Sequence, residues 1–369
     1  MTGLDELPLR EDLRGQEPYG APQLDVPFRL NTNENPYPPS ASLVADIGRA
    51  AAAASTDLNR YPDREAWALR QDLATYLAKR EGVHVDAAQV WAANGSNEVM
   101  HQLFLAFGGP GRTALGFAPT YSMYPEYCRD TFTAWVTAPR APDFTLPPEV
   151  AREAVRRHQP TLVVVPSPNN PTGTSLAPET VLALLDATHD DGGVVVVDEA
   201  YAEFRRPGTP SALSLLADHP RLVVIRTMSK AFAMAGGRLG YLVGSTAVVD
   251  AVRIVRLPYH LSAVAQAVAR TAIAHADELL ASVDALREER DALVTWLRRR
   301  DFDVADSDAN FVLFGRFADR HAVWERLLAR GVLIRETGPD GWLRVSVGTP
   351  EEMAAFRRSL VAVLEEVGP

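Results

Sequence analysis

The sequence predicts an α/β protein with a mostly parallel central sheet covered on both faces by helices, in three layers, plus a smaller α+β subdomain at the C-terminal end. Two observations carry this. Short, almost wholly apolar runs (Leu162–Val165, Val194–Val197, Leu222–Ile225) alternate with helical segments and lack the polar alternation of half-exposed strands. After about Arg256 the order changes to long helices followed by strands that bracket a turn. At 369 residues the chain is long enough for a large core and two domains. The boundaries expected are an arm over 1–30, a large domain over 31–256 and a small domain over 257–369 that packs with the N-terminal segment.

Taken in order, residues 1–30 are rich in proline and charge and read as an arm, with Tyr19 between Pro18 and Gly20. Leu30–Pro36 is a polar, turn-forming segment. Helical periodicity follows over 42–54 and 64–80, and Tyr61-Pro62-Asp63 reads as a turn whose aspartate caps the second helix. Val90–Ala93 is a short strand that leads through Asn94-Gly95-Ser96-Asn97-Glu98 into an apolar-striped helix. Such a turn presents free backbone N–H groups and the positive end of a helix, where a phosphate can bind. Many strand–helix turns look alike with nothing bound. Strands at 114–117, 132–136, 162–165, 194–197 and 222–225 then alternate with helices over 121–129, 148–158 and 178–188. Leu239–Val243 reads as one more strand, at an edge. Helices over 262–276 and 277–300, a strand at 311–314, a helix over 322–330, a hairpin carrying Arg335 and Arg344, and a final helix complete the chain.

Composition narrows the function. Thirty-seven basic against 47 acidic side chains give a net charge of −10, which argues against a polyanion partner such as nucleic acid. The lone Cys128 excludes an internal disulfide and suits a reducing cytosol. The first 14 residues lack the apolar core of a signal peptide, and no apolar run reaches membrane-spanning length, so a cytoplasmic protein is expected. The eight histidines are scattered and form no recognisable metal motif.

Three strand ends carry polar groups that a packed sheet does not need: Asn170, then Asp198 with Tyr201, then Ser229 with Lys230. In a parallel sheet these converge at the carboxyl edge, where ligand crevices lie. Each alone has an ordinary explanation, such as a cap, a turn or a surface lysine. Together they describe one chemistry. An aspartate after four valines needs a cationic or hydrogen-bonding partner, and a protonated pyridine nitrogen is one. Asn170 and Tyr201 can donate hydrogen bonds to a phenolate oxygen. A poorly solvated Lys230 amine can attack an aldehyde near neutral pH. Gly95, Ser96, Ser229 and Arg238 can hold a phosphate. The ligand so described is pyridoxal 5′-phosphate.

These residues resemble the fold type I pyridoxal-phosphate enzymes, through Asn170-Pro171-Thr172-Gly173, Asp198-Glu199-Ala200-Tyr201 and Ser229-Lys230 followed by Arg238. More narrowly, Asn33–Pro36, Arg60–Asp63, Ala93–Glu98, Pro119–Tyr124, Leu257-Pro258-Tyr259 and the Arg335/Arg344 hairpin resemble the histidinol-phosphate aminotransferase family. The resemblance implies that Lys230 is the Schiff-base lysine, that Asp198 pairs with the pyridine nitrogen, and that Asn170 and Tyr201 face the ring oxygen. It implies Tyr121 stacked on the ring. It puts Gly95, Ser96, Asn97, Ser229 and Arg238 around the phosphate, joined by Tyr61 from the partner subunit of a homodimer. It further implies Arg344 for a substrate carboxylate, Arg335 for a phosphate or distal carboxylate, and Tyr19, Asn33, Asn97 and Tyr259 as substrate contacts. The implied reaction moves an amino group between L-histidinol phosphate and 2-oxoglutarate. Alternatives with the same ring-binding set are an aromatic amino-acid aminotransferase and a threonine-phosphate decarboxylase. A non-enzymatic effector-sensing domain would need a fused DNA-binding region, for which the short arm and acidic balance offer no candidate.

Overall fold

A computed structural model describes residues 3–188 and 192–367. Its large sheet has seven strands among the described residues: β1 (Val90–Ala93), β2 (Thr113–Ala118), β3 (Ala134–Pro139), β4 (Leu162–Pro166), β5 (Val194–Asp198), β6 (Leu222–Thr227) and β7 (Gly240–Val243). Their spatial order is β1-β7-β6-β5-β4-β2-β3. The pairs β2–β3, β2–β4, β4–β5 and β5–β6 are parallel, while β7 runs antiparallel to both of its neighbours. The alternation of strand side chains explains the valine runs. Val163, Val165, Val195 and Val197 pack into one core, and Leu162, Val164, Val194 and Val196 into the core on the opposite face. Burying each such side chain stabilises the fold by about 1.5–3 kcal/mol.

The register positions the site. Pro166 pairs with Asp198, and Asp198 with Ile225, across three adjacent parallel strands. The segments that follow, leading to Asn170, Tyr201 and Lys230, therefore leave from one edge of the sheet. The helix Ser96–Phe107 and the helix Tyr124–Asp130 bring two further chain segments to the same edge.

A second, antiparallel sheet is formed by β8 (Asp303–Val304), β9 (Phe311–Gly315) and β10 (Leu343–Ser346), in the order β10-β9-β8. Arg335 and Arg344 exchange both backbone hydrogen bonds at 2.9 Å, so the two guanidinium groups project from paired positions. The end of the N-terminal segment is stitched to this part of the chain. Phe28–Arg29 pairs in parallel with Val332–Leu333, and the Ser346 N–H donates to the Leu30 carbonyl at 2.9 Å.

Several expected elements shift. Gly240–Val243 is an interior strand, hydrogen-bonded on both sides, and β1 takes the edge. The helix expected from Tyr121 starts at Tyr124, and the strand expected from Phe132 starts at Ala134, because Phe132 adopts a left-handed backbone (φ 57°). The helix expected over 277–300 is split into Ala276–Leu279 and Ser282–Arg298. Asp63 accepts from the Trp67 N–H at 2.8 Å, yet the helix itself begins only at Trp67.

Candidate active site

At the carboxyl edge of the large sheet lies a cleft of about 280 Å³, lined on one side by Asp198, Tyr201, Ser229 and Lys230 and on the other by Asn33, Arg335 and Arg344. Asp198 is buried at its floor. Tyr124 Oη donates to Asp198 Oδ2 at 3.0 Å, and the Ala200 N–H donates to Oδ1 at 3.2 Å. Burial pushes the Asp198 carboxyl up to about 6, and these two hydrogen bonds hold it from rising further. Lys230 Nζ donates to the Thr32 carbonyl at 2.7 Å. Burial, with Arg344 and Arg238 nearby, lowers the Lys230 amine to about 8, although Glu34 works in the opposite direction. A lysine with such a value is nucleophilic close to neutral pH.

One end of the cleft is built for an anion. Gly95 precedes the helix Ser96–Phe107 with φ 91°, and no side chain caps that helix. A Cβ at Gly95 would sit 2.6 Å from Arg238 Nη2, so only glycine lets the guanidinium lie against this turn. Arg238 Nη1 donates to Ser229 Oγ at 3.3 Å and to the Ala235 carbonyl at 3.2 Å. Among the described residues no carboxylate pairs with Arg238, leaving a guanidinium, a hydroxyl and a helix N-terminus together.

The opposite wall is anchored in the second sheet. Asn33 Nδ2 donates to Tyr201 Oη at 3.0 Å, while the Asn33 N–H donates to Ser346 Oγ at 2.8 Å and Asn310 Nδ2 to the Asn33 carbonyl at 3.0 Å. Arg344 donates to Asn170 Oδ1 and, at 2.8 Å, to the Asn31 carbonyl, with its buried Nε left without a partner. Burial lowers Arg344 to about 10, which leaves it cationic at neutral pH. Arg335 Nη2 reaches the Gly20 carbonyl at 3.3 Å. Tyr19 stands edge-on to Tyr121 (6.5 Å, 89°) and accepts from Ser122 Oγ at 3.2 Å, so the arm borders the cleft.

Of the residues singled out from sequence, Tyr19, Asn33, Ser96, Asn97, Tyr121, Asn170, Asp198, Tyr201, Ser229, Lys230, Arg238, Arg335 and Arg344 line one cavity, and Gly95 backs it. Tyr61 and Tyr259 do not line it. They stack on each other at 4.3 Å, outside the cleft, with Tyr61 79% exposed. Sequence reasoning gave no role to Tyr124, the Thr32 carbonyl, Asn310 or Ser346. Among these Tyr124 lies within the segment Pro119–Tyr124 and Thr32 within the turn-forming segment Leu30–Pro36.

Residues 26–360 match the family model for class I and II aminotransferases. The histidinol-phosphate aminotransferase of Thermobifida fusca is 66% identical over 358 residues, covering 97% of this chain and 96% of that one. The enzyme of the same name from Frankia casuarinae is 62% identical, covering 96% and 90%. The chain belongs to the histidinol-phosphate aminotransferase family. Among solved structures, the Sinorhizobium meliloti family member in complex with pyridoxal 5′-phosphate superposes with a TM-score of 0.82 at 25% identity, covering 93% of this chain and 92% of that one. The fold is thus that of the fold type I aminotransferases, and pyridoxal 5′-phosphate is the cofactor of this family. The residues present fit it. A buried carboxylate with no cation beside it among the described residues, a lysine of lowered basicity, and an uncapped helix end beside an arginine that pairs with no carboxylate among those residues answer the nitrogen, aldehyde and phosphate of that molecule.

Among the described residues no group of three His, Cys, Asp or Glu could hold a metal, and no helix is long and apolar enough to cross a membrane.

The sequence has two lysines, Lys79 on the surface and Lys230 in the cleft, which makes the amine directly testable. In the cofactor-free protein, acylation of Lys230 should titrate with a midpoint near pH 8, read by peptide mass spectrometry with Lys79 as internal reference. A midpoint at the ordinary lysine value of 10.5 would contradict the environment described. The same shift has a sign in stability. The folded state holds this proton more weakly than the unfolded one, so Lys230 contributes fully above about pH 10.5, and that contribution is lost as pH falls to about 8.

Proposed function

We propose that this cleft transfers the amino group of L-histidinol phosphate to 2-oxoglutarate, giving imidazole-acetol phosphate and L-glutamate, a reversible step of L-histidine biosynthesis. The observation that carries this reading is the presence of three cleft guanidinium groups, Arg238, Arg335 and Arg344, with only neutral partners among the described residues. One anion site suits the cofactor's phosphate. The other two suit substrates that are themselves anionic, a phosphate monoester and a dicarboxylate taken in turn.

When bound, pyridoxal 5′-phosphate supplies an aldehyde for the amine and an electron sink for charge developing at Cα. In this reading Asp198 stays ionised opposite the pyridine nitrogen, and Asn170 and Tyr201 orient the ring through its oxygen. Tyr121 covers one ring face. Gly95, Ser96, Asn97, Ser229 and Arg238 cradle the phosphate. Lys230 Nζ takes the proton from Cα of the bound amine, a role that its lowered basicity favours. Arg344 receives the carboxylate of glutamate or 2-oxoglutarate, and Arg335 the substrate phosphate or distal carboxylate. Asn33 holds Tyr201 and is in reach of substrate, and Tyr19 closes the rim. Residues 31–256 then act as the large domain and 257–369 as the small one that carries the substrate arginines.

A homodimer completes the site in this account. Leu58, Tyr61, Ile254 and Leu257 are 60–84% exposed, a set of apolar side chains unusual on a free surface and grouped in sequence around the stacked Tyr61 and Tyr259. Tyr61 then serves the partner's phosphate site, and Tyr259 lies beside it. Coexpressing Lys230→Ala and Tyr61→Ala chains should restore activity in mixed dimers, which contain one site with both residues intact. No activity above that of the separate variants would contradict a shared site. Cytoplasmic location is proposed from the single, buried Cys128 and the acidic charge balance.

Glutamate formation from 2-oxoglutarate tests the substrate. The kcat/KM with histidinol phosphate should exceed that with phenylalanine by at least about 100-fold, because a site built to pair polar groups of its substrate rejects one that cannot meet them. A preference for phenylalanine would make the enzyme an aromatic aminotransferase. Release of carbon dioxide from threonine phosphate would make it a decarboxylase.

A further inference from the structure

We infer that Tyr124 is a positioning residue for the cofactor: its hydroxyl fixes the Asp198 carboxylate in the orientation that meets the ring nitrogen. The inference rests on the reading of Asp198 given above. Tyr124 enters from a different part of the chain, at the start of the helix Tyr124–Asp130, 74 residues before its partner. Its ring is wholly buried, and its Oη donates to Asp198 Oδ2 at 3.0 Å. The second carboxylate oxygen accepts from the Ala200 N–H. Among the described residues no lysine, arginine or histidine forms an ion pair with Asp198. Among the described residues the carboxylate is thus held by one side chain, Tyr124, and one backbone group.

The same tyrosine supports the residue that covers the ring. The Tyr124 ring stands edge-on to Tyr121 at 5.5 Å and 89°, and the Tyr124 N–H donates to the Tyr121 carbonyl at 3.3 Å. Trp135 backs it at 6.2 Å. One buried aromatic therefore ties together the carboxylate that would meet the ring nitrogen and the tyrosine that would cover a ring face. A phenol suits this position because it donates to an anion without bringing a charge that would neutralise it. A lysine or arginine in its place would pair with Asp198 and compete with the pyridinium.

Titration of the cofactor-free protein with pyridoxal 5′-phosphate tests this, using Tyr124→Phe in the native and in the Asp198→Asn background. Phenylalanine keeps the ring and its packing and removes only the donor. In the native background the dissociation constant should rise about tenfold, as expected for losing a hydrogen bond to a charged group. In the Asp198→Asn background the same change should cost less than about twofold, since the anion it serves is gone. Equal losses in the two backgrounds would show a packing role and overturn the inference, as would no loss in the native background. If Asp198→Asn alone leaves cofactor affinity unchanged, the reading of Asp198 itself fails and the role of Tyr124 falls with it.

Discussion

Replacing Lys230 by alanine should lower amino transfer by about 10⁴-fold or more, since the variant loses both the nucleophile and the proton carrier. The visible absorbance of lysine-bound cofactor should disappear with it. The fold should survive, because among the described residues the half-buried Lys230 makes one side-chain hydrogen bond, to the Thr32 carbonyl, and its amine is held at lowered basicity. Removing it takes away an awkward group rather than a support. The comparison is made on purified protein, by absorbance and by glutamate formation in the same preparation. A variant that kept the lysine-bound spectrum would mean that another amine reaches the cofactor, and Lys79, an exposed lysine paired with Asp277, is the sole alternative lysine in the sequence.

The largest stability effect is expected behind the site, at Arg226. This arginine on β6 is fully buried, and its Nη2 lies 2.7 Å from Glu199 and 2.9 Å from Glu81. Its Nη1 lies 3.2 Å from Glu203, and Nη2 also donates to Ser211 Oγ at 3.1 Å. The three carboxylates come from the end of the helix Trp67–Glu81, from the residue after Asp198, and from the turn after Tyr201. They hold the guanidinium well above its usual basicity against the opposing effect of burial. Arg226→Ala removes the centre and leaves the carboxylates facing one another, with Arg205 as the remaining cation. The expected loss is about 3–5 kcal/mol in urea unfolding, the range for breaking one side of a buried pair. Arg226→Met combined with Glu199→Gln should recover part of it, because fewer charges remain uncompensated. A loss below about 1 kcal/mol for the alanine variant would mean that water or protonation compensates these carboxylates.

The sheet and the cofactor end of the site were legible because strand ends are local signals. Asp198 after four valines is a costly placement that a reader can see without knowing the fold. Parallel register then brings Asn170, Tyr201 and Lys230 to the same edge. What escaped were contacts set by topology. Tyr124 meets Asp198 across 74 residues, Asn33 meets Tyr201 across 168, and Arg344 meets Asn170 across 174. No periodicity in one segment encodes such a meeting. The strand Gly240–Val243 was misplaced at an edge for a related reason. Its apolar run is short enough for an edge, and only the reversal of the chain after Arg238 inserts it between β1 and β6. The resemblance implies Tyr61 from a partner subunit and Tyr259 as a substrate contact; within one chain the two stack on each other outside its cleft.

The measurement that bears most directly on the central claim is a half-reaction followed by absorbance. The purified yellow enzyme is mixed with L-histidinol phosphate in the absence of 2-oxoglutarate, with phenylalanine and threonine phosphate in parallel. Rapid loss of the lysine-bound cofactor band, and growth of the pyridoxamine band with histidinol phosphate alone, is the predicted result. Conversion by phenylalanine but not by histidinol phosphate would contradict the assignment of Arg335 and Arg344 to an anionic substrate pair, while leaving the cofactor site as described.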